Sequence, residues 1–275
     1  MGAIALSMVA TSCNHVRIEK DEPVNQPVKV TFNVSALDVI TQSMTKSGNA
    51  KNASAGLGKL FYYITGSTTE TGTQISTDTG FGTIDLMLTP GTYDAYFIGT
   101  PDATQNIDFY YHYNGTSVTF GDADMFAKSL QLTIADAQSF DVTMNRLTGQ
   151  LVVDLTDTDV PSNVKSVKVT CTRRDCWSFT WCSATDNVSV EKVIQPENGQ
   201  FPDCIVNSFP IDDKTATITI LDADNNVLGE TSVDYNIVAN QRTIIRGSIF
   251  DIIETNRLTI KYDDEWGNDN VVTLE

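Results

Sequence analysis

Ile84-Asp-Leu-Met-Leu-Thr-Pro-Gly-Thr-Tyr-Asp-Ala-Tyr-Phe-Ile98 is the stretch on which the fold is decided. Two short apolar runs, 84–88 and 93–98, flank Pro90-Gly91. Runs of this length around a Pro-Gly turn predict an antiparallel β-hairpin. The same pattern extends outward. Val28, Val30, Phe32 and Val34 share one face of an alternating run, and residues 60–64 form a continuous, aromatic-rich run. Further runs follow at 109–113, 117–120, 130–134 and 140–144. No long stretch has helical period, and the best short helical candidate is 123–128. Many short strands separated by Gly, Asn, Asp and Thr turns predict an all-β fold of antiparallel β-sandwiches.

A second series of strands opens at Leu147-Thr-Gly-Gln-Leu-Val-Val-Asp-Leu155. It continues through 164–171, 177–181, 188–194, 205–211, 216–221, 227–235, 243–250 and 258–262. Each series supplies strands for one domain. The boundary is placed near Asn145-Arg146, giving sandwiches at 27–145 and 146–275. No linker rich in Pro or Gly parts them, so one strand runs directly into the next domain and the pair forms a stiff rod.

The 275 residues are 41% hydrophobic and 19% charged, a globular balance. The net charge is −17 and the pI about 4.3, which argues against nucleic acid as a partner, since phosphate binding needs clustered Lys and Arg. Residues 1–12 carry no charge and end in Ala10-Thr-Ser12 before Cys13. Small residues ahead of a cysteine are the mark of a lipoprotein signal, so Cys13 is the expected lipidation site. The competing reading is a buried N-terminal strand with an incidental cysteine. The basic residues that open such signals are missing, so the expectation is either a true start upstream or a miscalled start codon. Residues 13–26, rich in Glu, Asp, Asn and Pro, then form a tether. No other stretch approaches the roughly 18 apolar residues of a membrane-spanning helix.

Signals for catalysis are poor, and no enzyme activity, cofactor or metal is expected. The two histidines, His15 and His112, fall in the tether and in a strand. Cys171, Cys176, Cys182 and Cys204 lack the CxxC pairs of structural zinc. In an exported domain they suggest disulfides, with free thiols and a metal site as alternatives. Cys171 and Cys176 flank Thr172-Arg-Arg-Asp175, which suits a bridge across a hairpin and would leave Cys182 to pair with Cys204. Asp222-Ala-Asp-Asn-Asn226 starts like a calcium loop but has Val227 in place of the required Gly and reads better as a hairpin turn. Asp263-Asp-Glu265 with Asp269 reads as a solvated turn, and Ala55-Gly-Leu-Gly-Lys59 fails the phosphate-loop spacing. Trp177, Phe179 and Trp181 share one face of an alternating run and read as core. Phe109-Tyr-Tyr-His-Tyr113 has aromatics on both faces, so one of them is a candidate exposed platform.

The lipoprotein-like start, the two strand series and several segments together resemble the fimbrillin superfamily of Bacteroidales. The segments are Arg146-Leu-Thr-Gly-Gln-Leu-Val-Val-Asp-Leu155, Thr156-Asp-Thr-Asp-Val-Pro161-Ser-Asn-Val-Lys-Ser-Val167, and Asn240-Gln-Arg-Thr-Ile-Ile-Arg-Gly247-Ser-Ile-Phe250 with Leu258-Thr-Ile-Lys-Tyr262 and Asp264-Glu-Trp266-Gly. The resemblance covers most of the chain and is diffuse. It implies a type V pilus subunit: an outer-membrane lipoprotein of two tandem transthyretin-like β-sandwich domains that polymerises with other subunits by strand exchange. The resemblance implies that in the family's shaft subunits an Arg-specific protease removes the lipidated segment with the first strand. Here no arginine lies between Arg17 and Arg146, and the loop after the first strand offers only Lys46, Lys51 and Lys59. The departure favours an anchor that keeps its lipid and holds or initiates the pilus. The C-terminal segment, with Leu258, Ile260, Tyr262, Val271, Val272 and Leu274, is the expected exchanging element. The alternative is a pilus-tip or free surface adhesin that binds glycan or host protein.

Overall fold

The computed structural model describes residues 26–36, 41–42, 52–53, 56–112, 115–255, 259–265 and 268–272, with backbone alone at 41–42, 52–53, 112, 255 and 259–272. The described residues are all-β apart from one short helix. Its first half runs β1 (Val28–Ala36), the small pair β2 (Thr41–Gln42) and β3 (Asn52–Ala53), β4 (Lys59–Thr65), β5 (Thr69–Ile75), β6 (Thr83–Leu88), β7 (Gly91–Thr100), β8 (Asp108–His112), β9 (Gly115–Thr119), β10 (Phe126–Ile134) and β11 (Gln138–Arg146).

Seven of these strands follow one hydrogen-bonded path, β5-β4-β7-β10-β11-β1-β6. The path folds over between β10 and β11, which pair only where Phe126 and Ala127 meet Arg146 and Asn145. Beyond that corner β10 follows β7 and β11 follows β1, so β5-β4-β7-β10 faces β11-β1-β6 across a core. Phe32 of β1 lies 5.3 Å from Phe97 of β7 on the opposite layer and stacks at 5.4 Å on Phe140 beside it. β1 runs parallel to β11, with Phe32 level with Phe140, and antiparallel to β6, with Phe32 level with Ile84.

The stretch 84–98 is therefore not a hairpin. β6 pairs with β1, while β7 pairs with β4 and β10 on the other layer. Thr89 and Pro90 carry the chain over the edge, and the Tyr93 hydroxyl pins that link by donating to the Thr89 carbonyl at 2.7 Å. Ile84, Leu88, Tyr93, Ala95 and Phe97 all reach one core. Alternation decides which side chains point inward and does not decide which strand lies alongside.

The second half runs β12 (Gly149–Leu155), β13 (Ser166–Ser178), β14 (Ser183–Ile194), β15 (Cys204–Ser208), β16 (Ile211–Leu221), β17 (Val227–Ile237), β18 (Arg242–Gly247), α1 (Ile249–Thr255), β19 (Thr259–Glu265) and β20 (Asn268–Val272). Its layers repeat the first half. β15-β12-β18 corresponds to β6-β1-β11, with β12 parallel to β18 and antiparallel to β15. β14-β13-β16-β17 corresponds to β5-β4-β7-β10. Leu151, Val153 and Leu155 of β12 enter the second core as Val30, Phe32 and Val34 of β1 enter the first.

Two pieces lie outside this repeat. The β8–β9 hairpin belongs to the first half by sequence but joins the sheet of the second, with Val118 level with Trp177. The β19–β20 hairpin extends the second half beyond β18. A third apolar cluster, including Ile98, Val118, Phe120, Met125 and Phe209, fills the junction between the halves. Only Leu147 and Thr148 separate β11 from β12. The next residue must be glycine, because a Cβ at Gly149 would sit 2.1 Å from the Val238 carbonyl oxygen.

The expected turn at 172–175 is absent: β13 is one strand from Ser166 to Ser178. The hairpin loop is Phe179–Cys182, closed by the Ser178–Ser183 pair, with Cys182 in the left-handed region at φ 48°. The expected helix at 123–128 is absent too, since β10 begins at Phe126. The helix forms instead at α1, at the end of an expected strand. Ser248 caps it, its hydroxyl accepting from the Phe250 N–H at 3.1 Å. Asp157 accepts from the Ser248 hydroxyl at 2.8 Å and the Ile249 N–H at 2.7 Å. Ile249 and Ile252, one turn apart, are buried in the second core.

Candidate functional site

The expectation of assembly by strand exchange bears on the first strand, the last hairpin and the junction that joins the halves. β1 is held on both edges by backbone ladders and below by the core. Its outer face is laced as well. Asp85 of β6 accepts from the Thr31 hydroxyl at 2.5 Å and lies 3.0 Å from the Lys29 ammonium. Those hydrogen bonds, Thr31 first and then Lys29, hold the Asp85 carboxyl below its usual range. Asn33 donates to Asp141 of β11 at 2.9 Å. β1 is thus an interior strand of its layer.

The proposed lipidation site Cys13, the tether through Asn25 and the lysines Lys46 and Lys51 lie outside the described residues. Lys59 begins β4, and its ammonium donates to the Gln105 carbonyl at 2.6 Å. Arg146, the first arginine after Arg17, is buried at 4% exposure.

At the C-terminus, β19 is antiparallel to β18 with Ile260 level with Ile245, and β20 folds back on β19 with Val272 level with Ile260. Tyr262 belongs to β19 and Val271 to β20, whereas Leu258 and Leu274 lie outside the described residues. β20 ends the path β15-β12-β18-β19-β20 and presents a sheet edge. The first half differs at the equivalent place. Over residues 138–144, β11 pairs with β1 on one side and, among the described residues, with no strand on the other.

Two polar knots, one buried and one at the surface, hold the halves together. In one, Arg146 lies 3.0 Å from Asp124 and 4.7 Å above the Phe126 ring. Asp124 also accepts the Thr148 hydroxyl at 2.7 Å, and Thr148 accepts the Met125 N–H at 3.1 Å. Burial pushes the Asp124 carboxyl up and the Arg146 guanidinium down, each against the pull of its partner. For each group desolvation is the largest influence, ahead of the attraction of its partner. In the other knot, Asp122 accepts the Asn207 N–H at 2.6 Å and the Lys192 ammonium. Sequence reading missed both knots, because isolated Asp, Arg and Lys carry no pattern until the fold gathers them.

The four cysteines of the second half are free thiols in this structure. A Cys171–Cys176 bridge across a hairpin does not fit, because both lie on β13. Five extended residues separate them by roughly 16 Å, more than twice the reach of about 7 Å. Cys182 sits exposed in the hairpin loop while Cys204 is buried, so the remaining pairing fails as well. The fold instead places Cys171 and Cys204 in one core cluster, from opposite layers. Burial, chiefly, pushes each thiol up to about 11, and the Cys204 charge adds to the effect on Cys171.

The expected aromatic core stripe is split. Trp177 and Phe179 are half-buried against the junction cluster, whereas Trp181 is 73% exposed, because the chain turns after Ser178. The run at β8 divides by face. Phe109 and Tyr111 pack on Tyr63 at 5.1 Å each and on Tyr96, while Tyr110 is exposed. Asp222 makes a hairpin turn as expected, accepting from the N–H groups of Asp224 at 2.9 Å and Asn226 at 2.8 Å. Among the described residues no group of three or more His, Cys, Asp or Glu side chains gathers to hold a metal ion, and no helix is long and apolar enough to cross a membrane.

No protein-family model matches the chain, and no curated protein sequence does. Solved structures do. A Bacteroides thetaiotaomicron protein provisionally described as polysaccharide-binding has a TM-score of 0.56 at 9% identity, over 90% of this chain and 98% of its own. A provisionally described adhesin of the same organism has a TM-score of 0.53 at 13% identity, over 91% and 99%. The fimbrial anchor protein Mfa2 of Porphyromonas gingivalis has a TM-score of 0.50 at 9% identity, over 90% and 99%. At such identities the likeness is one of fold.

Proposed function

We propose that this chain is a fimbrial subunit, held at the outer membrane by lipid on Cys13, that anchors or initiates a pilus by strand exchange. In this reading residues 27–145 and 146–275 act as tandem transthyretin-like sandwiches. The observation that carries the anchor role is the seat of β1. Val30, Phe32 and Val34 are buried in the first core, and both edges of the strand are paired. Cutting β1 away would open an apolar slot through the middle of a layer, and the arginine-specific cut that would release it has no accessible arginine between β1 and β12. A subunit that keeps β1 keeps whatever is attached before it. The fold shared with a fimbrial anchor protein agrees with this role.

Growth then proceeds from the C-terminal hairpin, whose last strand offers backbone donors and acceptors to a neighbour, as in β-augmentation. Two measurements test the reading. Replacing Cys13 with Ala should move the protein from the membrane to the soluble fraction in detergent phase separation. Mass spectrometry of the surface protein should find a mature N-terminus at Cys13. A mature N-terminus after Lys46 or Lys51 would make this a processed shaft or tip subunit and overturn the anchor role.

A further inference from the structure

The outer face of β4, β7 and β10 is not plain solvent surface. Ladder register sets Tyr63, Tyr96 and Ser129 in one row across it, and Thr65, Asp94 and Gln131 in the next. The β8 strand and the β13–β14 loop cover the first row: Tyr111 packs on Tyr63, and Phe179 meets Tyr96 edge-on at 5.3 Å. The second row emerges from under that cover. Where the two meet is an open cleft of about 210 Å³, lined by Asp94, Tyr96, Ser129, Gln131, Phe179 and Thr180 among others.

The cover is held rigidly. Phe179 donates its N–H to the Thr116 carbonyl at 2.8 Å, and Thr116 donates its N–H to the Thr180 hydroxyl at 2.9 Å. The Trp181 N–H donates to the Ser178 hydroxyl at 3.2 Å. A tryptophan exposed on a pinned turn directly after a cleft residue is a large apolar surface that folding leaves in water. Tyr111, at the other side of the cover, is 43% exposed. On the floor, Gln131 donates to Asp94 at 3.4 Å, leaving the amide's second N–H, its carbonyl and the second carboxylate oxygen for a ligand.

From this geometry we infer that the cleft binds one residue of a neutral carbohydrate chain. Aromatic faces suit the C–H faces of a sugar ring, and an acid–amide pair suits adjacent hydroxyls, which need both donors and acceptors. The volume is below the roughly 300 Å³ of an enclosing small-molecule pocket, so the site grips one ring of a polymer that continues across the surface. Asp94 in the floor and the net charge of −17 repel acidic glycans. The inference is independent of lipid anchoring and of strand exchange.

Affinity electrophoresis of the full chain tests it, in gels containing mannan, a starch-type glucan or a galactan, with hyaluronan and polygalacturonate as acidic counterparts. At least one neutral gel should retard the protein and the acidic gels should not. Trp181→Ala and Gln131→Ala change exposed side chains and should leave the melting temperature in place. Trp181→Ala should weaken retention about tenfold and Gln131→Ala several-fold. No retardation in any neutral gel, equal retention of both variants, or stronger retention by the acidic polymers would each overturn the inference.

Discussion

The two halves of the molecule are one strand plan executed twice with different endings. In both, the first strand lies between a late parallel strand and an early antiparallel one: β1 between β11 and β6, β12 between β18 and β15. The second half continues past β18 into β19 and β20, and the first half stops at β11. The comparison teaches that the interior strands carry the fold and the outermost strands carry the variation. A terminal strand at an edge contributes little core and is the cheaper one to lend to a partner.

The most drastic way to break the equivalence is to delete residues 28–36. The first half should then lose its cooperative unfolding transition altogether, since an interior strand is removed along with Val30, Phe32 and Val34. The milder change Phe32→Ala should cost about 3–5 kcal/mol in denaturant melts. If β1 were dispensable, both variants would melt like the parent.

The join between the halves comes next. Asp124→Ala leaves Arg146 buried without its carboxylate and should cost about 3–5 kcal/mol, whereas Asp124→Leu with Arg146→Met should recover most of the loss. Failure of the double change to recover stability would show that the pair contributes net attraction, against the directions to which burial pushes both groups.

A smaller effect distinguishes the second core, which alone of the two holds thiols among the described residues. Cys171 and Cys204 are raised from an ordinary value near 9.0 to about 11, so the folded state favours their protonated forms. That stabilisation is complete below pH 9 and is lost as pH rises towards 11. Tyr235, raised mainly by burial, adds a loss at still higher pH. Alkaline melts should show the decline, and Cys204→Val should shrink it. Labelling of native protein should mark Cys182 at once and Cys171, Cys176 and Cys204 only on unfolding. Two reactive thiols in place of four among those of the second half, in unfolded and unreduced protein, would instead show one bridge, for which Cys171 and Cys204 share a core cluster.

The smallest expected effect on stability is at the other end of the repeat. Truncation after Gly267 removes β20 and should shift the melt by no more than about 0.5 kcal/mol, yet abolish incorporation into fibres seen by electron microscopy. Normal incorporation would exclude the terminal strand as the exchanging element.

Composition and alternation were enough to establish an all-β chain and most of its strands, because burial of alternate side chains is a local, two-residue rule. The Asp222–Asn226 turn was legible for the same reason, since its hydrogen bonds close within five residues. The helix at α1 was legible only in part: Ser248 and the spacing of Ile249 and Ile252 are helical signals, but they follow a β run without a break.

Partnership was decided elsewhere. That 84–98 arches between layers, that β13 runs straight through Thr172–Asp175, and that β8 and β9 serve the other half depend on contacts distant in sequence. The cleft is the sharpest instance. Asp94, Gln131 and Thr180 have no shared motif, and they meet because β7 and β10 are in one register and a loop from the second half closes over them. The sequence by itself determined most of the side chains that leave water, because that depends largely on each residue and its near neighbours; Trp181 is the exception, left exposed because the strand ends before it. Tertiary structure alone decided which strands touch, because strand pairing is set by the competition of many edges for the same hydrogen bonds.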